Sequence, residues 1–219
     1  MNTRIDYIDW GLIEYKEALE KQEKLFSENI QRKQNGLVTD NYLIFCEHPH
    51  VYTLGKSGNE QNMLADMIQL QAKNATFFRT NRGGDITYHG PGQLVGYPIF
   101  DLENFGLGLK QYIHWVEECI INLLTQYNIE STRMEGATGV WLDAGTKNAR
   151  KICAIGVRSS RYVTMHGFAL NVNTQLEYFN YINPCGFVDK GVTSLEKELG
   201  KKVNMGILKE NLKNEFIKK

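Results

Sequence analysis

Two amphipathic stretches enclose a run of short strand-like segments, and this arrangement does most to limit what the chain can fold into. Leu12, Tyr15, Leu19 and Phe26 recur at three- and four-residue steps within residues 9–31, with polar Gln22 as a lapse in the stripe. That spacing, in a segment of Glu, Lys, Gln and Leu, predicts a helix with one apolar face. A second helix is predicted over 109–127, where Leu109, Tyr112, Val116, Cys119, Leu123 and Tyr127 share a face. Between and after them, residues 42–47, 75–79, 85–88, 94–100, 140–143, 151–158 and 162–173 read as strands, punctuated by turns at Gly139, Gly145-Thr146 and Ser159-Ser160. From Thr193 the pattern is helical again. Thr193 and Glu196 have capping-box spacing, Gly200 marks a stop, and a last helix is expected over 204–218. With no repeat, low-complexity tract or linker, the expectation is a single α+β domain spanning residues 1–219, with helices packed on a largely antiparallel sheet.

Charge and cysteine content exclude several classes of function. Lysine and arginine total 25 and aspartate and glutamate 25, so the chain lacks the basic excess that nucleic acid or an anionic membrane requires. No apolar run approaches the roughly 20 residues of a membrane span. The first residues resemble neither a signal peptide nor a transit peptide, which predicts a cytoplasmic protein. Four cysteines, Cys46, Cys119, Cys153 and Cys185, form no Cys-x-x-Cys pair and are expected to be reduced thiols.

The segment Arg82-Gly83-Gly84-Asp85-Ile86-Thr87-Tyr88-His89-Gly90-Pro91-Gly92-Gln93 is the least ordinary part of the chain. Its glycines allow sharp turns and close approach to a ligand, and Arg, Tyr, His and Gln supply fixed polar groups. Two tight turns flanking a strand would produce the same pattern. It is neither a dinucleotide fingerprint, because the last glycine comes one residue late and no helix follows, nor a phosphate loop. Cys46, His48 and His50 alternate as on one strand face, but Pro49 interrupts and no second ligand pair follows; no metal is expected. His89 and His166 each stand beside a glycine in candidate ligand loops.

Cys46, Cys119 and Cys153 lie in predicted strands or on an apolar helix face and read as core. Cys185, in Asn183-Pro184-Cys185-Gly186-Phe187, stands in a turn that would present a thiol. A thiol there is either inert or, with a neighbour that favours the thiolate, a nucleophile. Lys151 opens an apolar strand. It is either a solvated edge charge or, beside a thiol, a group that stabilises the thiolate and accepts a proton. Strand alternation would put Cys153 on the face of Lys151, which makes Cys153 a rival to Cys185.

Four segments in order resemble the lipoyl(octanoyl) transferase family. They are Glu47-His48-Pro49-His50-Val51-Tyr52-Thr53-Leu54-Gly55, then Arg82 to Val95 with Tyr97-Pro98, then Lys151-Ile152 and Ala154-Ile155-Gly156-Val157 with Thr164 and His166-Gly167-Phe168-Ala169-Leu170-Asn171-Val172, and last Pro184-Cys185-Gly186. The resemblance implies the mixed sheet flanked by helices of biotin and lipoate protein ligases, holding an acyl tunnel. It implies transfer of an octanoyl group from octanoyl-acyl carrier protein to a lysine of lipoyl domains, in 2-oxoacid dehydrogenases and the glycine-cleavage protein, with need of neither ATP nor metal. Zero net charge and a full-size domain are compatible with a monomer. Cys185 matches the acyl-thioester nucleophile and Lys151 the lysine that lowers its pKa and handles the proton. Arg82, Gly83, Gly84, Asp85, Ile86, Thr87, Tyr88, His89, Ala154, Ile155, Gly156, His166, Gly167 and Phe168 match segments lining the acyl site. Backbone N–H groups near 151–154 or 185–186 would stabilise the oxyanion.

Overall fold

A computed structural model describes residues 2–64, 70, 72–183 and 191–218. Its main sheet has eight strands in the order β1-β2-β6-β10-β9-β8-β7, with β11 paired to β9. These are β1 (Ile5–Leu12), β2 (Asn41–Glu47), β6 (Gln93–Ile99), β7 (Thr132–Met134), β8 (Ala137–Leu142), β9 (Arg150–Ser160), β10 (Val163–Asn171) and β11 (Gly191–Val192). The β1–β2 and β9–β11 pairs are parallel and the others antiparallel. A second sheet, in the order β4-β3-β5, combines β3 (Val51–Leu54), β4 (Thr76–Arg79) and β5 (Ile86–His89). The four helices described are α1 (Tyr15–Gln34), α2 (Leu109–Thr125), α3 (Leu195–Leu199) and α4 (Met205–Ile217).

Strand alternation sorts the core between two layers. Leu43 and Phe45 of β2 join α2 and α4 in one cluster, with Val116, Ile120, Leu212 and Phe216. Ile44 and Cys46, one residue out of step, face the other way and pack with Val95, Tyr97 and Ala18 of α1. The expected α+β architecture, a mixed and largely antiparallel sheet flanked by helices, is therefore what forms. No described helix is long and apolar enough to cross a membrane.

Several local expectations need correction. The first helix begins at Tyr15 rather than residue 9, because Ile5–Leu12 is the edge strand β1. Gly11, at φ +60° with its N–H held by Asp9 Oδ1 at 2.9 Å, sits inside β1 where its pairing with β2 shifts register. Gln22, the lapse in the stripe, is wholly buried, and its side-chain oxygen accepts from the His166 N–H at 3.1 Å. The β9–β10 turn lies at Arg161-Tyr162, both at positive φ, instead of Ser159-Ser160. The cap of α3 is Ser194, whose hydroxyl accepts from Lys197 N, whereas Thr193 turns its hydroxyl to Glu198. Gly139 lies within β8 rather than in a turn, at φ +124°, where a Cβ would stand 2.4 Å from the Cys153 carbonyl. The last helix, expected over 204–218, is α4, capped by Asn204, which accepts from Ile207 N at 3.0 Å.

Candidate active site

The strand β9 carries the site. A pocket of about 580 Å³ follows it from Lys151 to Val157 and is closed by β10, α2 and the glycine-rich loop before β5. That loop lies directly on the strand. Gly83 donates its N–H to the Val157 carbonyl at 2.9 Å, and a Cβ on Gly156 would stand 2.7 Å from the Gly83 oxygen. Glycine at 156 is thus a requirement of close backbone approach, while a Cβ on Gly83 would make a tight contact with the Val157 oxygen at 3.2 Å.

Apart from Tyr88, every residue matched to the acyl site that the structure describes lines this one pocket: Arg82 to Thr87, His89, Ala154 to Gly156 and His166 to Phe168. Tyr88 lies apart from it: its ring packs in a core with Tyr52 and Phe179, and its hydroxyl meets His50 Nδ1 at 2.7 Å. Residues not anticipated complete the wall, among them Tyr15 at the start of α1, Leu109 and Ile113 at the start of α2, and Trp141 on β8. Leu109 was legible as a member of an apolar helix face. Ile113 lies off that stripe, and nothing in its spacing marks it.

Burial holds the imidazoles of the polar wall neutral. Arg82 is 8% exposed and donates to the Thr53 carbonyl at 2.6 Å and to its hydroxyl at 2.9 Å. His89 Nδ1 is 2.8 Å from Gln93 Oε1, an acceptor only, so this nitrogen carries the proton. His166 meets Asn81 Oδ1 through Nε2 at 2.7 Å and holds φ +59° in mid-strand. Desolvation first, and the Arg82 charge as a further cause, push both imidazoles down to about 3. Burial lowers His48 to about 4; it donates from Nδ1 to the Ile13 carbonyl and accepts from the Tyr97 hydroxyl. His48 is thereby held between backbone and tyrosine, while His50 stacks on Tyr178 with ring centroids 4.1 Å apart. Among the described residues no group of three or more side chains is arranged to hold a metal.

Lys151 stands at the opposite end. Its ammonium donates to the Thr138 carbonyl at 3.2 Å and lies 4.7 Å from the centre of the Trp141 ring. Cys153 is not its companion in the pocket. The β8–β9 register shifts between Val140 and Trp141, opposing Cys153 and Lys151 to consecutive β8 residues. Alternation breaks there, and Ile152 and Cys153 are both wholly buried in the α2 core. Burial raises the Cys153 thiol far above its ordinary range, so it is held protonated. Cys185, with Pro184 and Gly186, lies outside the described residues. The chain on either side of it is described: Asn183 donates its N–H to the Asn62 carbonyl at 2.8 Å, and Val192 pairs with Lys151. Gly191 and Val192 also line the pocket.

A largely apolar trough with Lys151 at one end and Arg82 among neutral imidazoles at the other suits an acyl chain, and residues 14–217 match the lipoyl protein ligase A/B catalytic domain model. The chain belongs to that family. Within it, an octanoyltransferase of Bacteroides fragilis strain YCH46 is 59% identical over 209 residues, 95% of either chain. Solved structures show the same fold at low identity. P. falciparum LipL1 in complex with lipoate aligns at TM-score 0.71 and 15% identity, over 98% of this chain and 60% of that one. The biotin protein ligase of Aquifex aeolicus with biotin and ATP aligns at 0.54 and 12%, over 97% and 68%.

Proposed function

We propose that this protein is an octanoyltransferase that moves an octanoyl group from octanoyl-acyl carrier protein to a lysine of lipoyl domains, those of 2-oxoacid dehydrogenases and the glycine-cleavage protein. The observation that carries the reading is Lys151 standing in the wall of an apolar pocket, in a chain 59% identical to a relative named octanoyltransferase. It acts as a monomeric cytoplasmic domain and draws on neither ATP nor metal.

In the first step the Cys185 thiolate attacks the thioester carbonyl on the phosphopantetheine arm. The bond to the carrier sulfur breaks, the carrier sulfur takes a proton from the Lys151 ammonium and leaves as a thiol, and octanoyl-Cys185 remains beside a neutral Lys151 amine. One thioester replaces another, so no nucleotide is needed. In the second step the acceptor lysine, whose reference pKa is about 10.4, gives up a proton and attacks that thioester. An amide forms and the Cys185 sulfur departs as thiolate. Lys151 receives the amine's proton and in its charged form favours the thiolate. The alkyl chain lies along Ile155, Val157 and Phe168, where each buried methylene contributes about 0.8 kcal/mol.

The test is a reconstitution with octanoyl-acyl carrier protein and an apo lipoyl domain, without ATP. The expected product is a domain heavier by one octanoyl group on its lysine. Formation of that product only from free octanoate and ATP would make the protein a ligase instead.

A further inference from the structure

A chain of buried amides runs from the far end of the pocket to the backbone of Lys151. Arg82 donates to the Thr53 hydroxyl, which meets His89 Nε2 at 3.4 Å. His89 donates from Nδ1 to Gln93 Oε1 at 2.8 Å. Gln93 Nε2 donates to Asn171 Oδ1 at 2.9 Å, and Asn171 Nδ2 donates to the Thr193 carbonyl at 2.9 Å. The Thr193 N–H in turn donates to the Lys151 carbonyl at 3.0 Å.

Each link has one possible direction. Gln93 Oε1 accepts from His89, so its amide nitrogen faces Asn171, whose oxygen accepts and whose own nitrogen is aimed at Thr193. Gln93 is 1% exposed and Asn171 4%, so each amide has little access to water as an alternative partner. β11 comprises only Gly191 and Val192, and pairing alone gives so short a strand little hold on β9. A second tie comes from the Thr193 hydroxyl, which donates to Glu198; Arg150, the neighbour of Lys151, donates to that same carboxylate at 2.7 Å.

We infer that Asn171 is a positioning residue for Lys151: its amide anchors Thr193, and Thr193 fixes the strand end from which the lysine reaches into the pocket. Gln93 orients that amide. This rests on the reading of Lys151 as the proton-handling group, and the experiment separates the two.

Asn171→Asp keeps the shape and the acceptor for Gln93 but turns an oxygen toward the Thr193 carbonyl. Lysine reactivity is read by labelling with an amine-acylating reagent across pH, site by site by mass spectrometry. Lys209, paired with Asp9 at 3.0 Å, serves as internal reference. The expected result is a several-fold change in the Lys151 labelling rate per folded molecule with Lys209 unaltered, the melting temperature being lowered but the protein folded at the assay temperature. With it goes a loss of about 10–100-fold in kcat at little change in the KM for the acyl donor. Labelling reports on Lys151 even if the protein transfers no octanoyl group, so loss of the functional reading does not hide the outcome. An unchanged Lys151 rate, or a fall in kcat matched by a fall in folded fraction, overturns the inference. If Asn171→Asp does not fold, Asn171→Ser is read in the same way, and failure of both to fold shows a purely structural role.

Discussion

The Lys151 ammonium rests 4.7 Å from the centre of the Trp141 ring, on the wall that β8 contributes to the pocket. A ring face attracts a cation by about 1 kcal/mol in a partly desolvated setting. Trp141 is itself fixed, because its indole N–H donates to the Ala137 carbonyl at 2.8 Å. Trp141→Phe keeps a face and loses that hydrogen bond, at about 1 kcal/mol of stability. Trp141→Leu removes the face as well and should slow transfer by a further factor of roughly five per folded molecule. Steady-state kinetics corrected for folded fraction, by urea titration of both variants, checks the contrast.

A methyl group at Gly156 tests the packing of the glycine-rich loop on β9. Gly156→Ala would put a Cβ 2.7 Å from the Gly83 oxygen and 3.3 Å from Arg82 Cδ, so the loop must retreat. Overpacking of this kind costs about 1–3 kcal/mol. The expected outcome is a lower melting temperature and a raised KM for octanoyl-acyl carrier protein. Gly145→Ala, which meets nothing within 4 Å but sits at φ +82°, should lower stability without changing KM.

Acid sensitivity follows from the buried imidazoles. His89 and His166 are pushed down to about 3 and His48 to about 4, against about 6.5 in the unfolded chain. Between those values the unfolded chain binds protons that the folded one refuses, so stability falls as pH drops. Their full contribution is present above about pH 6.5 and is lost progressively toward pH 3–4, at about 1.4 kcal/mol per histidine per pH unit. Below about 4.5 the carboxylate of Glu198, lowered chiefly by its bond to Arg150, adds to the loss. Urea midpoints from pH 7 to pH 4.5 should fall steeply in the wild type and less steeply in His89→Gln. A flat profile would contradict the burial of neutral histidines. None of the three titrates near pH 7, so a limb of the rate profile there belongs to other groups.

Part of the pocket wall was legible because its backbone constraints are local: the glycines of Arg82 to His89 permit two chain segments to touch, and a glycine at a close approach leaves its mark in the sequence, whereas Ala154 to Gly156 stood out only through the family resemblance. What alternation could not reveal was where it breaks: the register shift beside Lys151 separates it from Cys153, and bulges depend on the partner strand. Strand β1 was hidden because its residues run into helix-favouring sequence, and only tertiary pairing with β2 makes them extended. Tyr15, Ile113 and Trp141 reach the pocket through the packing of α1, α2 and β8 around it, a relation no single segment records. The chain from Gln93 through Asn171 to Thr193 likewise joins positions that are distant in sequence.

The central claim is that Cys185 carries the acyl group, and intact-protein mass spectrometry tests it most directly. After incubation with octanoyl-acyl carrier protein alone, the wild type and Cys153→Ala should each gain one octanoyl group, mapped by peptide analysis to Cys185. Cys185→Ser should gain none on a thiol and should not pass octanoyl to a lipoyl domain. An unmodified wild type that still octanoylates the domain, or a label on Cys153, would contradict the account.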